Sequence, residues 1–141
     1  MKYVLAIVML FMSITAVAGN VEQDLRVKMN QLTASWNRAD LNGYLQGYKH
    51  SSNTLYISSS IIKGYNQIQQ RFEENYSTNE RMGKLDIDIK DIKIISPKYA
   101  LVTGNWHLMR NAKPDERGIF SLLFEKDKTG WKIVVDHTSK G

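Results

Sequence analysis

The residues best suited to chemistry lie near the end of the chain, where Asp136 and His137 precede Thr138 and Ser139. Carboxylates and imidazoles commonly exchange protons with substrates near neutral pH. The pattern around them predicts a strand, however, and neighbouring residues of a strand project to opposite faces. Asp136 and His137 therefore cannot pair with each other. His137 and Ser139 share a face but lie about 6.5 Å apart, too far for a nucleophile and its base.

Alternation with the apolar residues of this strand directs His137 inward and Asp136 outward. His137 is then a candidate proton acceptor or ligand contact, with Asp136 as the other candidate acceptor. The alternative is that His137 is a hydrogen-bonded histidine of the core or pocket wall. The other strand carboxylates also fall on the outward phase, so no carboxylate is predicted inside the fold. This argues against chemistry that needs a carboxylate general base in a pocket.

Aromatic and polar side chains are predicted to line a pocket on the inward phase. Arg110 can pair with an anionic group, because a guanidinium matches a carboxylate or phosphate, or it can snorkel to solvent from the strand end. Tyrosine hydroxyls can lie at the mouth, although a tyrosine stripe on a helix is more often core. The predicted ligand-binding residues are Trp106, Arg110, Phe120, His137, Tyr56 and Tyr48.

Other reactive groups are scarce in this chain. The histidines at positions 50, 107 and 137 have no metal-site spacing, and the absence of cysteine excludes thiolate chemistry and disulfides. Neither a metal nor a cofactor is predicted. The charged residues are dispersed, with no basic stripe interleaved with aromatic residues, so nucleic acid is not a predicted partner.

Three helices and a short hairpin are predicted before residue 80. Apolar residues recur at helical spacing from Val21 to Trp36. Asp40 is placed to cap the second helix, because its carboxylate can accept free backbone N–H groups of the first turn. The predicted ranges are 21–38, 41–48 and 64–76 for the helices, and 54–57 with 60–62 for the hairpin.

Four longer strands follow. The apolar alternation that starts at Leu85 changes phase at Ile92, which predicts a β-bulge near Lys90. Strands over 100–110, 118–125 and 130–137 then form an antiparallel meander, with a tight turn over 127–130 and a loop over 111–117. The predicted inward pairs are Phe124 with Ile133, Leu122 with Val135, Phe120 with His137, Leu108 with Phe120 and Trp106 with Leu122.

Helices grouped against one antiparallel sheet give an α+β fold. A bent antiparallel sheet wrapped on the N-terminal helices makes a cone with one open end. Trp36 of the first helix is expected to pack against the sheet that carries Trp106.

The order and spacing of these segments resemble the nuclear transport factor 2-like superfamily and, more narrowly, its small bacterial SnoaL-like domains. The matching stretches are WNRADL at 36–41 with YL at 44–45, Gly64 with Phe72, ALVTGNW at 100–106, GIF at 118–120 and GWKIVVDHTS at 130–139. The family includes ketosteroid isomerases, polyketide cyclases, dehydratases, kinase association domains and non-catalytic binders. The resemblance therefore implies the cone fold and leaves the activity open.

Residues 1–18 are predicted to be a signal peptide. A basic start at Lys2, an apolar run from Val4 to Phe11 and small residues at Ala16 and Ala18 have the layout of a secretory signal. The apolar run is shorter than a membrane-spanning helix needs. The mature domain is then 19–141, located in the periplasm or secreted, with no membrane partner after cleavage.

The predicted function is binding of a small, partly apolar molecule in the cone pocket. One alternative is an enzyme of isomerase, cyclase or dehydratase type. Another is a dimeric protein-interaction module whose pocket is filled by its own side chains. An apolar pocket with an inward carboxylate would favour the enzyme, and an open pocket without one would favour binding. A homodimer through the outer sheet face is also predicted.

Overall fold

The computed structural model describes residues 2–141, with side chains from Gly19 to Gly141, so the side chains of the predicted signal peptide lie outside it. The helices are α1 (Lys2–Asn37), α2 (Leu41–Leu45), α3 (Tyr65–Asn75) and α4 (Asn79–Met82). The strands are β1 (Leu55–Ile57), β2 (Ile61–Lys63), β3 (Lys84–Ile94), β4 (Tyr99–Arg110), β5 (Lys113–Asp127) and β6 (Gly130–Lys140). None of the described helices has the length and apolar character that crossing a membrane requires.

The helices follow the predicted apolar stripes, with differences at their ends. α1 begins at Lys2 rather than near Val21, since neither proline nor glycine interrupts residues 2–18. Asp40 caps α2 as predicted, and its Oδ1 accepts a hydrogen bond from the Gly43 N–H at 2.8 Å. α2 ends at Leu45 instead of Tyr48, because the last residues tighten into i to i+3 hydrogen bonds. The short α4 was not predicted.

The six strands form one sheet in the order β2-β1-β6-β5-β4-β3. All neighbours are antiparallel except β1 and β6, which pair in parallel, with Tyr56 opposite Asp136. The sheet is therefore mixed, which corrects the prediction of a purely antiparallel one. The predicted short hairpin is present as β1 and β2, and it extends the meander at the free side of β6. The helices cover one face of this bent sheet, so the predicted α+β cone is confirmed.

The register of β5 with β6 starts as predicted and then shifts. Phe124 pairs with Ile133, but Leu123 already pairs with Val135, so Val134 is the extra residue of a β-bulge. Beyond this bulge Leu122 faces Asp136 and not Val135 as predicted, and Phe120 likewise faces Thr138 and not His137. After Val134, the residues of β6 that were predicted to face inward consequently face outward, and those predicted to face outward face inward. The bulge predicted in β3 is confirmed, between Ile89 and Asp91.

The register of β4 with β5 also differs from the prediction. The chain reverses at 111–112, and β5 begins at Lys113 rather than at Gly118, so the predicted loop over 111–117 is mostly strand. Trp106 therefore pairs with Gly118, and Phe120 pairs with Gly104. The observed pairing of β4 with β5 is thus shifted by four residues from the predicted pairing. Because four is an even number, both aromatic side chains stay on the inner face.

The core lies between the helices and the inner face of the sheet. Trp36 is 4% exposed, and its ring meets the rings of Tyr44 and Tyr76 edge-on, each at a centroid distance of 4.9 Å. Its Nε1–H donates to the Met82 carbonyl at 2.9 Å. Trp36 thus packs within an aromatic cluster of the helical layer, because the residues after α3 fold back over the end of α1. The same end of α1 contacts β3 of the sheet, since Asn37 exchanges hydrogen bonds with the backbone of Leu85.

Candidate functional site

The open end of the cone leads into a cavity of about 700 Å³ between the helices and the sheet. Its middle is mainly aromatic and aliphatic, its floor carries a carboxylate, and its rim carries charged side chains. The protein-interaction alternative requires a cone that is filled by its own side chains, and the open cavity argues against it. The aromatic lining residues are Trp36, Tyr44, Tyr56, Phe72, Tyr76, Trp106 and Phe120.

Asp136 lies inside the cone, 3% exposed, and contributes to the cavity lining. This corrects the prediction that it points outward, and the bulge at Val134 is the reason. Its Oδ2 accepts a hydrogen bond from the Tyr48 hydroxyl at 2.5 Å, and its Oδ1 accepts one from the Thr138 hydroxyl at 2.6 Å. Burial raises the pKa of Asp136 above its ordinary value, although the hydrogen bonds from Thr138 and Tyr48 oppose the rise.

Tyrosines surround this buried carboxylate. Burial, followed by the nearby charge of Asp136, raises the pKa of the Tyr44 and Tyr56 phenols well above the ordinary value. They are therefore hydrogen-bond donors at every physiological pH. A buried carboxyl group beside phenolic donors can accept a proton from an acidic carbon, or it can accept a hydrogen bond from a ligand hydroxyl.

Tyr48 lies beneath the cavity floor and not at the mouth, where it was predicted. It is fully buried and does not contribute to the cavity lining. The segment after α2 runs beside β6, because residue 48 forms a parallel bridge with Ile133, and this places the Tyr48 ring in the core. Its role is to hold the carboxyl group of Asp136 through the hydroxyl. Burial and the charge of Asp136 also raise the pKa of Tyr48.

Two glycines make room for the aromatic wall. A Cβ on Gly104 would lie 2.9 Å from the Phe120 ring, and one on Gly118 would lie 1.7 Å from the Ser139 carbonyl oxygen. Each glycine faces an aromatic residue across the strand pair, as the register shows. The Trp106 Nε1–H donates to the Ser139 carbonyl at 3.1 Å, which fixes the indole over Gly118. A larger side chain at either glycine would therefore displace the Phe120 or the Trp106 ring from its place in the wall.

Arg110 lies at the rim of the cavity, where its side chain is only 7% exposed, so it does not snorkel to solvent. Its Nη2 lies 2.6 Å from Glu116 Oε1, and Lys140 Nζ lies 3.1 Å from Glu116 Oε2. Burial alone would raise the pKa of Glu116, but the hydrogen bonds from Lys140 and Arg110 outweigh it and lower the pKa. Arg71 and Lys113 also line this end of the cavity.

His137 lies on the outer face of the sheet and is exposed, so it does not line the cavity. The prediction of an inward His137 was wrong because the bulge at Val134 exchanges the two faces. The His50 ring stacks on the Tyr65 ring with a centroid distance of 3.8 Å, and His107 Nε2 lies 2.9 Å from Asp115 Oδ2. Among the side chains that the structure describes, no cluster of histidine and acidic residues is suited to a metal ion.

Four of the predicted ligand-binding residues therefore meet in the cavity, namely Trp106, Arg110, Phe120 and Tyr56. The sequence reasoning missed the inward carboxylate of Asp136 and the rim carboxylate of Glu116. The sequence does contain a signal for the inward carboxylate, because the polar residues Asp136, Thr138 and Lys140 alternate along the end of β6. Such a row of polar residues is typical of the outer face of a sheet, but the bulge at Val134 places it on the inner face.

Comparison with known proteins gives matches among solved structures only. No protein-family model matches the chain, and no curated protein does. A nuclear transport factor 2-like protein of unknown function from Shewanella oneidensis is 34% identical, with a TM-score of 0.80, covering 84% of this chain and 98% of that chain. A nuclear transport factor 2-like superfamily protein from Salmonella enterica is 22% identical, with a TM-score of 0.71, covering 87% and 92%. A ketosteroid isomerase-like protein from Erwinia carotovora atroseptica is 16% identical, with a TM-score of 0.69, covering 84% and 94%.

Proposed function

This chain belongs to the nuclear transport factor 2-like superfamily, and on that premise we propose that its cavity binds a small, partly apolar molecule. The observation that carries the proposal is the open cavity of about 700 Å³ with its aromatic wall. This volume lies within the range of small-molecule sites, which combine apolar walls with a few convergent polar groups. The phenols of Tyr44 and Tyr56 and the carboxyl group of Asp136 are the polar groups of the floor.

Native mass spectrometry of the purified protein tests this proposal. We expect a small-molecule adduct on the wild-type protein, either as purified or after incubation with an extract of bacterial metabolites. Ile87→Trp should abolish the adduct, because Ile87 lines the cavity opposite Trp106 and the larger ring would fill it. His137→Ala is the matched control on the outer face and should keep the adduct. A wild-type protein that remains unliganded in both conditions contradicts the proposal.

A second candidate function is proton transfer by an isomerase, cyclase or dehydratase type of enzyme. The inward carboxylate of Asp136 favours it, because its raised pKa brings a general base closer to the working pH. Asp136 would accept the proton of an acidic carbon, while Tyr44 and Tyr56 would donate hydrogen bonds to the oxygen that gains charge. His137 is no longer a candidate acceptor because it lies on the outer face. The ketosteroid isomerase-like neighbour is consistent with this class.

Export also remains a proposal, supported by the layout of residues 1–18. We expect expression in a bacterial host with an intact secretion system to give a periplasmic or secreted product whose first residue is Gly19. N-terminal sequencing of that product measures the cleavage site. Full-length protein found only in the cytoplasm contradicts the proposal, and an Ala18→Arg variant, which should block cleavage, is the control.

A homodimer through the outer sheet face is the remaining proposal. An apolar row crosses that face on four neighbouring strands, and its members are half-buried in the single chain. The row consists of Leu101, Leu123, Val135 and Leu55. Ile119 projects from the same face and is 63% exposed. Apolar surface of this kind supports association of two copies.

A further inference from the structure

We infer that the cavity takes an elongated organic carboxylate, whose anionic group displaces Glu116 from the cations at the rim. The inference rests on the proposed function and adds the chemical class of its ligand. Arg110 and Lys140, which now share Glu116, would bind the ligand carboxylate together with Arg71. The apolar body of the ligand would lie along Trp106 and Phe120, toward the floor.

The first observation is the arrangement of Arg110 and Glu116. The arginine is more than nine-tenths buried at a cavity rim, and one carboxylate bridges its Nη2 and the Lys140 ammonium. The Arg110 Nε is buried and has no hydrogen-bond partner among the described residues. A guanidinium is best satisfied by a carboxylate that takes two parallel hydrogen bonds. A carboxylate that bound Arg110 in this way would contact both Nε and Nη2, whereas Glu116 contacts Nη2 alone. The hydrogen-bonding capacity of Arg110 is therefore only partly used.

The second observation is the excess of positive charge at the rim. Arg71 and Lys113 also line the cavity, and no carboxylate of the described chain forms an ion pair with either side chain. Glu116 is the sole acidic side chain at this end of the cavity, since the other lining carboxylate is Asp136 at the floor. Charge of one sign around a cleft with low-dielectric walls focuses the field and attracts the opposite ion.

The third observation sets the shape of the ligand. Asp136 and Lys140 lie four residues apart on β6, which separates the floor from the rim by roughly 13 Å along the strand. Their side chains both project into this space. A molecule that touches both ends is about as long as two fused rings with a substituent at each end. The buried carboxyl group of Asp136 and the neighbouring phenols favour a hydroxyl or another hydrogen-bonding group at the inner end.

The rim favours a carboxylate over a phosphate ester because a carboxylate already occupies it. Glu116 shows that the distance between Arg110 and Lys140 suits two oxygens of one planar group. A ligand carboxylate can take the same place while the Glu116 side chain, which is already 28% exposed, turns fully to solvent. Glu116 is therefore a residue that competes with the ligand and sets its affinity.

Isothermal titration calorimetry with matched probes tests the inference. The probes are 6-hydroxy-2-naphthoate, its methyl ester and 2-naphthyl phosphate. We expect the wild-type protein to bind the acid at least about tenfold more tightly than the ester, the factor typical of one charge-assisted contact. Glu116→Gln keeps the shape of the side chain and should tighten binding of the acid by about tenfold without changing that of the ester.

Two further variants complete the experiment. Arg71→Gln removes an exposed cation and should weaken binding of the acid severalfold while leaving the melting temperature unchanged. Glu73→Gln makes the same change as Glu116→Gln on an exposed residue of α3 away from the cavity, and should change nothing.

Each outcome has a separate meaning. Equal binding of acid and ester, with no effect of Glu116→Gln on either, overturns the carboxylate inference and leaves the proposed function intact. Tighter binding of 2-naphthyl phosphate than of the acid also overturns it, in favour of a phosphate ester. If neither the acid nor the ester binds while native mass spectrometry shows an adduct on the wild-type protein, the inference is overturned and the proposed binding function stands.

Discussion

Replacing Trp36 with alanine should lower the free energy of unfolding by roughly 3–5 kcal/mol, as truncation of a buried tryptophan does. The indole is 4% exposed and packs edge-on against Tyr44, Tyr76 and Phe72. The variant also leaves the Met82 carbonyl without its donor. Because a domain of this size is stable by only about 5–15 kcal/mol, this loss is a large share of the total, and the melting temperature should fall sharply.

Urea and thermal unfolding of three variants measure this effect. Trp36→Phe keeps an aromatic ring and loses the hydrogen bond to Met82, so its loss of stability should be smaller. Trp106→Ala is the matched control at the cavity wall, where the indole is only half-buried, and it should reduce probe binding more than stability. If Trp36→Ala melts like the wild-type protein, the helical aromatic cluster does not support the cone.

The parts of the fold that could be predicted depend on local patterns. The apolar stripe of α1 and the cap at Asp40 each need only neighbouring residues, and both are present. The bulge in β3 could be predicted because the apolar residues change phase on either side of it. Trp106 and Phe120 were placed correctly in the cavity despite a wrong register, since a shift by four residues preserves the face.

The bulge in β6 could not be predicted because its residues suit either face. Ile133, Val134 and Val135 are consecutive β-branched residues, and each packs equally well on the inside or the outside of a sheet. Nothing in this run marks which residue is the extra one. The choice is made by tertiary contacts, among them the hydrogen bond from Tyr48 to Asp136, whose partners lie 88 positions apart.

The rim of the cavity was missed for a related reason. Residues 111–117 are mostly polar and include Pro114, which is typical of a loop. The chain instead reverses within two residues and continues as β5, where Glu116 faces inward opposite Leu108. A longer loop would have carried Glu116 away from the cavity. The pairing of Arg110 with Glu116 is thus a consequence of turn length, which composition does not determine.

Replacing Asp136 with asparagine should make the protein more stable than the wild type at neutral pH. The pKa of Asp136 is raised in the folded state, so the folded protein binds this proton more tightly than the unfolded chain does. The contribution of Asp136 to stability is therefore greatest below the ordinary carboxyl pKa. It falls as the pH rises from that value toward the raised pKa, and stays low above it. Asparagine does not titrate and avoids this loss.

Urea unfolding of both proteins from about pH 4 to about pH 8 measures the difference. The two curves should lie close together at the acidic end and separate as the pH rises, with the variant above the wild type. Asparagine can still accept a hydrogen bond from one of the hydroxyls of Tyr48 and Thr138 and donate one to the other. A wild-type protein that gains stability over the variant toward neutral pH would show that the two hydroxyls favour the ionised carboxylate more than burial opposes it.

The same variant separates the two candidate functions. If the cavity catalyses proton transfer, Asp136→Asn should slow that reaction by about 10²–10⁴-fold, the usual contribution of a general base. Deuterium uptake into 2-tetralone, an apolar two-ring ketone with acidic carbons, can be followed by NMR in D2O. His137→Ala should exchange at the wild-type rate, because its ring lies on the outer face. If the wild-type protein binds the ketone but exchanges it no faster than Asp136→Asn does, Asp136 is a hydrogen-bonding residue of a binding site and the cavity is not an active site of this class.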